Sequence, residues 1–155
     1  MTELETRLRR LEDREQIRAL IGTYSVAIDD HDFDRLAACF AHDATYGRHG
    51  DTDLLHGREA IRASMMEKLG GAGPSFHVNH DSFVTFDDSD ADRATGMVLC
   101  HAETSHLGGH RIAAIRYHDS YARVDGKWQI AARRLKFLYF VKAEDYAGAL
   151  ERAPG

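Results

Sequence analysis

The sequence predicts an α+β fold, with three N-terminal helices followed by a curved antiparallel sheet that wraps around them as a cone-shaped α+β barrel. Three observations carry this. Apolar residues recur at three- and four-residue spacing through the opening segment, the mark of a helix with one buried stripe. From Ser75 onward the apolar period changes to two. The period-two runs are joined by DDSDAD, HLGGH and VDG, which are short and rich in turn residues. Helices first and strands second is the order of an α+β chain, not of an alternating α/β one.

The elements follow in order. Leu4, Leu8, Leu11, Ile17, Leu20, Ile21, Tyr24 and Ile28 write the stripe of a long first helix, which the run DDHD ends. Asp32 has the side chain to cap a second, short helix from Phe33 to Phe40. Thr45 to His49 and Asp53 to His56 form a short hairpin around His49-Gly50-Asp51. A third helix runs from Arg58 to Leu69, stopped by GGAG and Pro74. Four long strands then cover Phe76 to Phe86, Ala94 to Ser105, Arg111 to Val124 and Trp128 to Phe140, and a tail helix includes Tyr146 and Leu150. Long strands joined by tight turns twist strongly. Helices covering one face of such a sheet leave a cone with an open mouth, a natural small-molecule pocket.

Composition bounds the function. At 155 residues one domain over 1–155 is expected. A net charge of −5 argues against nucleic acid as the main partner, which would require a concentrated basic surface. No apolar run approaches the ~20 residues of a spanning helix, and the charged start MTELETRLRRLEDREQ has no apolar signal core, so the cytoplasm is the expected location. Cys39 and Cys100 are too few for a disulfide framework or a thiolate metal site. The unusual feature of the composition is histidine, with ten residues.

Several residues are candidates for chemistry. Asp29 closes the first helix, where the macrodipole disfavours an acid, so it is either a solvated end residue or a group aimed into the cone. Alternation on the first long strand sets His77, Asn79 and Asp81 on one face and Phe76 and Val78 on the other, although a bulge would let His80 compete for the role. Tyr24 and Tyr46 read either as packed core tyrosines or as proton donors facing a substrate oxygen. Arg116, His118 and Arg134 alternate with hydrophobic neighbours, and an arginine so placed needs a partner, whether a carboxylate or a carbonyl or anionic substrate. Arg133 has the opposite parity and reads as outward. His101, His106 and His110 straddle a Gly-Gly turn without the spacing of a metal motif, so no metal is expected. The acidic run Asp87 to Asp92 lacks a calcium-loop pattern. No phosphate-cradling glycine motif follows a strand, so no cofactor is implied.

The opening LEDREQIRALIGTYSVAIDDHDFDRLAACFAHDATYG and the ending RYHDSYARVDGKWQIAARRLKF resemble SnoaL-like proteins of the nuclear transport factor 2-like superfamily. The likeness is greatest to the branch holding scytalone dehydratase, bile acid 7α-dehydratase and hexachlorocyclohexane dehydrochlorinase. In that branch an Asp at the end of the first helix pairs with a His on the first long strand, and Asp29 and His77 match. The resemblance also implies a catalytic role for Tyr24, one turn before the Asp, and an aromatic pocket position for Tyr46. It implies that Val98, Cys100, Arg116, His118 and Arg134 line the cone. Cys100 stands where the bile acid enzyme has an acid.

The expectation is therefore a cofactor-independent dehydratase-type lyase or isomerase that acts on a small, hydrophobic, cyclic substrate through an Asp-His dyad. The alternative is a non-catalytic small-molecule-binding or assembly module on the same fold. Epoxide hydrolysis would need an Asp-Arg-Asp set, for which no second pocket Asp is evident. Exposure of one sheet face makes a homodimer or homotrimer the expected assembly.

Overall fold

The computed structural model describes residues 2–106 and 108–151, with His106 described by its backbone alone. Helix α1 spans Glu3–Asp29, α2 Phe33–Ala38, α3 Arg58–Leu69 and α4 Tyr146–Glu151. The strands are β1 Phe40–Arg48, β2 Leu55–His56, β3 Ser75–Phe86, β4 Arg93–His106, β5 Gly109–Val124 and β6 Lys127–Lys142. They form one curved, unclosed sheet in the order β2-β1-β6-β5-β4-β3. All neighbours are antiparallel except β1 and β6, which run parallel.

Local chemistry accounts for the element ends. Thr2 caps α1 in a reciprocal box: its hydroxyl accepts from the Glu5 amide, and the Glu5 carboxylate accepts from the Thr2 amide. Asp32 caps α2 by accepting from the Arg35 amide at 3.0 Å. Gly57 precedes α3 with φ of 89°, a left-handed conformation open to glycine without steric cost.

The stripe of α1 divides into two parts. Ile17, Ile21, Tyr24, Ala27 and Ile28 are buried against the inner face of the sheet, whereas Leu4, Leu8 and Leu11 are exposed. At 1.5 Å per residue the helix is about 40 Å long, and its first turns lie beyond the apolar cover. There Arg123 and the Trp128 indole both donate to buried Asp13, at 2.7 and 3.0 Å. This ties the helix to the β5–β6 hairpin.

Bulges decide which side chains point inward. On β3 the register shifts between Asn79 and Asp81. The extra residue, His80, is exposed, and Asp81 leaves the face that His77 and Asn79 share. On β6 one extra residue lies between Ile130 and Ala132, and a second between Phe137 and Tyr139. The first shift reverses the parity of β6 after Ile130. The core gathers Tyr24, Phe40, Ile61, Val98, Tyr117, Tyr121 and Ile130 between the helices and the inner face of the sheet. No helix of the described residues is long and apolar enough to cross a membrane.

Candidate active site

Helix α1 ends beside the start of β3, and this junction builds the site. The Asp29 carboxylate takes three hydrogen bonds. The Ser75 hydroxyl donates to Oδ1 at 2.8 Å, the His77 amide donates to Oδ2 at 2.8 Å, and His77 Nδ1 lies 2.6 Å from Oδ1. Three donors supply the compensation that an acid at a helix C-terminus requires. Burial pushes the Asp29 carboxyl up, but the side-chain and backbone hydrogen bonds of His77, its charge and the Ser75 hydroxyl bring it net below the ordinary carboxylate value. After Asp29 the chain turns through His31, a non-glycine residue at φ of 55°.

His77 lies on the wall of a cavity of about 580 Å³. Tyr24, Tyr46 and Tyr117 line the same space, with an apolar wall that includes Ile28, Met65, Ile115 and Phe137. The Tyr24 and Tyr46 hydroxyls lie close enough to shift each other's titration. Burial raises both phenols, Tyr46 well above the usual tyrosine value; at Tyr24 the Arg133 charge and the Tyr46 hydroxyl partly oppose the rise. Both therefore carry their protons at neutral pH.

The remaining expected residues fall elsewhere. Val98 and Cys100 are on the inner face but buried in the core behind the cavity wall. The Tyr117 hydroxyl, on the cavity wall, donates to Cys100 Sγ at 3.6 Å. Inward alternation of Ile115, Tyr117 and Asp119 turns Arg116 and His118 to the outer face, where Arg116 is exposed and His118 faces His49. Arg134 is also outside. Its guanidinium donates to the Thr45 carbonyl at 3.1 Å and the Thr45 hydroxyl at 2.8 Å. None of these three lines the cavity, so the expectation that Arg116, His118 and Arg134 line the cone is corrected.

The buried arginine is Arg133, the residue whose strand parity reads as outward. The bulge after Ile130 turns it inward. It is 0% exposed, and it forms a fork with Asp119 through Nε at 2.8 Å and Nη2 at 2.7 Å. Its guanidinium carbon stands 4.2 Å from the Tyr24 ring centre and 4.3 Å from that of Tyr117. A signal was present in the sequence: Tyr117, Asp119 and Tyr121 share one parity on β5, and a buried acid among tyrosines requires a cation opposite it. Arg133 and Asp119 both lie behind the tyrosines and outside the cavity lining. Among the described residues no three His, Cys, Asp or Glu side chains converge on a metal-sized site, and the His106 side chain lies outside that description.

The sequence profile of the SnoaL-like domain matches residues 9–134, and the chain belongs to that family, in the nuclear transport factor 2-like superfamily. A search of curated proteins finds no significant match. Among solved structures, a scytalone dehydratase candidate from Novosphingobium aromaticivorans superposes with a TM-score of 0.77 at 20% identity, covering 86% of this chain and 89% of that one. A type-3 hexachlorocyclohexane dehydrochlorinase from Novosphingobium barchaimii gives 0.74 at 20% identity, covering 87% and 92%. An NTF2-like protein with a cystatin-like fold from N. aromaticivorans gives 0.68 at 27% identity, covering 99% and 97%. The fold is thus that of the cone-shaped family, with dehydratase and dehydrochlorinase proteins among its structural neighbours.

Proposed function

We propose that the protein is a cofactor-independent lyase of the dehydratase type, or an isomerase, that acts on a small, hydrophobic, cyclic substrate. The observation that carries this reading is the 2.6 Å contact between Asp29 Oδ1 and His77 Nδ1 on the wall of a 580 Å³ cavity lined mainly by apolar side chains. With Nδ1 committed to Asp29, Nε2 is the nitrogen left to act as general base. It takes a proton from a carbon next to a carbonyl. In the elimination, the C–H electron pair becomes the new C=C bond, the C–O bond on the neighbouring carbon breaks, and a tyrosine proton lets the oxygen leave as water. In the isomerisation, the proton returns to a different carbon. Asp29 holds the imidazole in one tautomer and stabilises the imidazolium. Tyr24 and Tyr46 supply the donor hydroxyls.

The test does not require the natural substrate. A panel of cyclic ketones and β-hydroxy ketones is incubated with the protein in D₂O. NMR then reads deuterium uptake beside the carbonyl, and mass spectrometry reads water loss. The expected result is exchange or dehydration on part of the panel, reduced by ~10²–10⁴-fold or more in His77→Ala. Asp29→Asn should lower turnover far more than affinity. Panel members that bind the wild type without exchange or dehydration would refute the enzyme reading and leave a binding module.

A further inference from the structure

Beside the main cavity, at the end of the sheet where β3, β4 and β5 begin or finish, lies a second hollow of about 380 Å³. The two share Ser75, Thr104 and Ser105 as common wall. The new element in the second hollow is Arg111. It occupies the same face of β5 as Ala113, Ile115 and Tyr117, which line the main cavity, two residues before Ala113. It is therefore the next inward position along that strand, at the rim.

Arg111 has the signs of a cation awaiting a ligand. Its Nε is buried and has no hydrogen-bond partner among the described residues. Among those residues no carboxylate lies within ion-pair distance of its guanidinium, whereas Arg133, whose Nη1 also lacks a hydrogen-bond partner, and the partly buried Arg123 are each ion-paired with acids. Its guanidinium carbon sits 5.4 Å from the centre of the Phe140 ring, and that ring lines the main cavity. Ser105 Oγ and His110 Nδ1, 2.8 Å apart, add a polar pair to the same hollow. Glu103 also lines it and is exposed.

We infer that the ligand of the main cavity is amphipathic, with an apolar ring body against Tyr117, Ile115 and Phe140 and an oxyanion, a carboxylate or sulfonate, held at the rim by Arg111. A fork of guanidinium donors matches a planar or tetrahedral oxyanion. An unpartnered, buried Nε–H gains more from such a ligand than a solvated lysine would. The inference rests on the proposed function only in assuming that the cavity takes a small apolar ligand, and it assigns that ligand its charge.

A matched pair of fluorescent probes separates the two ideas. 1-Anilinonaphthalene-8-sulfonate and N-phenyl-1-naphthylamine share the ring system, and only the first carries a sulfonate. The expected result is that the wild type binds both. Arg111→Gln should weaken the sulfonate dye by ~10–100-fold, the usual span for a hydrogen bond to a charged group, and leave the neutral dye unchanged, which also verifies folding. Glu103→Gln should tighten the sulfonate dye alone. If both dyes bind and Arg111→Gln treats them alike, the anion site is overturned and the cavity reading stands. Arg48 also lines the main cavity, and loss of the sulfonate dye with Arg48→Gln instead would overturn the assignment to Arg111. If neither dye binds the wild type, the apolar cavity reading itself fails, and this inference fails with it.

Discussion

Asp119→Asn should destabilise the protein severely without any change of shape, because it strands a buried cation. Asp119 accepts two hydrogen bonds from Arg133, at 2.8 and 2.7 Å, and a third from the Tyr121 hydroxyl at 2.8 Å. Both side chains of the ion pair are 0% exposed. Burial pulls the Arg133 guanidinium toward the neutral form, but the Asp119 charge and its hydrogen bonds leave it well above even the usual arginine value. Arginine does not deprotonate inside proteins, so Arg133 has no neutral form to retreat to. In Asp119→Asn the charge is gone, and one of the two oxygens that receive the fork becomes an NH₂ group facing another donor. Breaking a buried pair from one side costs about 3–5 kcal/mol. Against a total stability of ~5–15 kcal/mol, that is a large fraction. At ~2 kcal/mol per molar urea, the midpoint should fall by about 2 M, and melting should drop by ~6–20 °C. Replacing both partners, as Asp119→Leu with Arg133→Met, should recover much of the loss, since no uncompensated charge remains. A cost below ~1 kcal/mol for the single variant, or a double variant as damaged as the sum of the singles, would refute the reasoning.

Two further predictions concern the dyad and the assembly. The carboxyl of Asp29 is held below its ordinary value, so its ionised form contributes stability that is complete above the unfolded value, ~3.9, and is lost as pH falls through the lower folded value. The stability advantage that the Asp29 carboxylate gives the wild type over Asp29→Asn should thus shrink as pH falls below about 4. Urea titrations at stepped pH check this, and an advantage that does not shrink below about pH 4 would contradict it. The outer sheet face presents Phe76 and Phe83, 62% and 54% exposed, and we propose that it mates with copies of itself as a homodimer or homotrimer. Light scattering at micromolar concentration should return two or three chain masses, and a particle of a single chain's mass would overturn the proposal.

The helical and strand elements were legible because each writes its period in the chain. The stripe from Ile17 to Ile28, the Asp32 cap, the α3 bounds at Arg58 and Leu69, and the four long strands joined by turn-rich links all follow from local spacing and turn chemistry. The contact between Asp29 and His77 was legible through the family resemblance alone, since the chain by itself leaves Asp29 as either a solvated end residue or a group aimed into the cone. The parallel pairing of β1 with β6 was not, because nothing local to either strand specifies a partner some 90 residues away.

What only the tertiary structure decided is which face each β6 residue presents. Uninterrupted alternation from Trp128 and Ile130 places Arg134 inside and Arg133 outside. One extra residue between Ile130 and Ala132 exchanges them. A bulge leaves little trace in a run such as Ala131-Ala132, where neither residue has strong preference for core or solvent. It is set by the fit of β6 between β5 on one side and β1 on the other. The same holds for the outward turn of Arg116 and His118, which follows once Tyr117 and Asp119 face Arg133 across the ladder. Sequence period determined that strands exist here, but the inward-facing residues depended on the register at which three strands close over the helices, because a shift of one residue moves every later side chain to the other face.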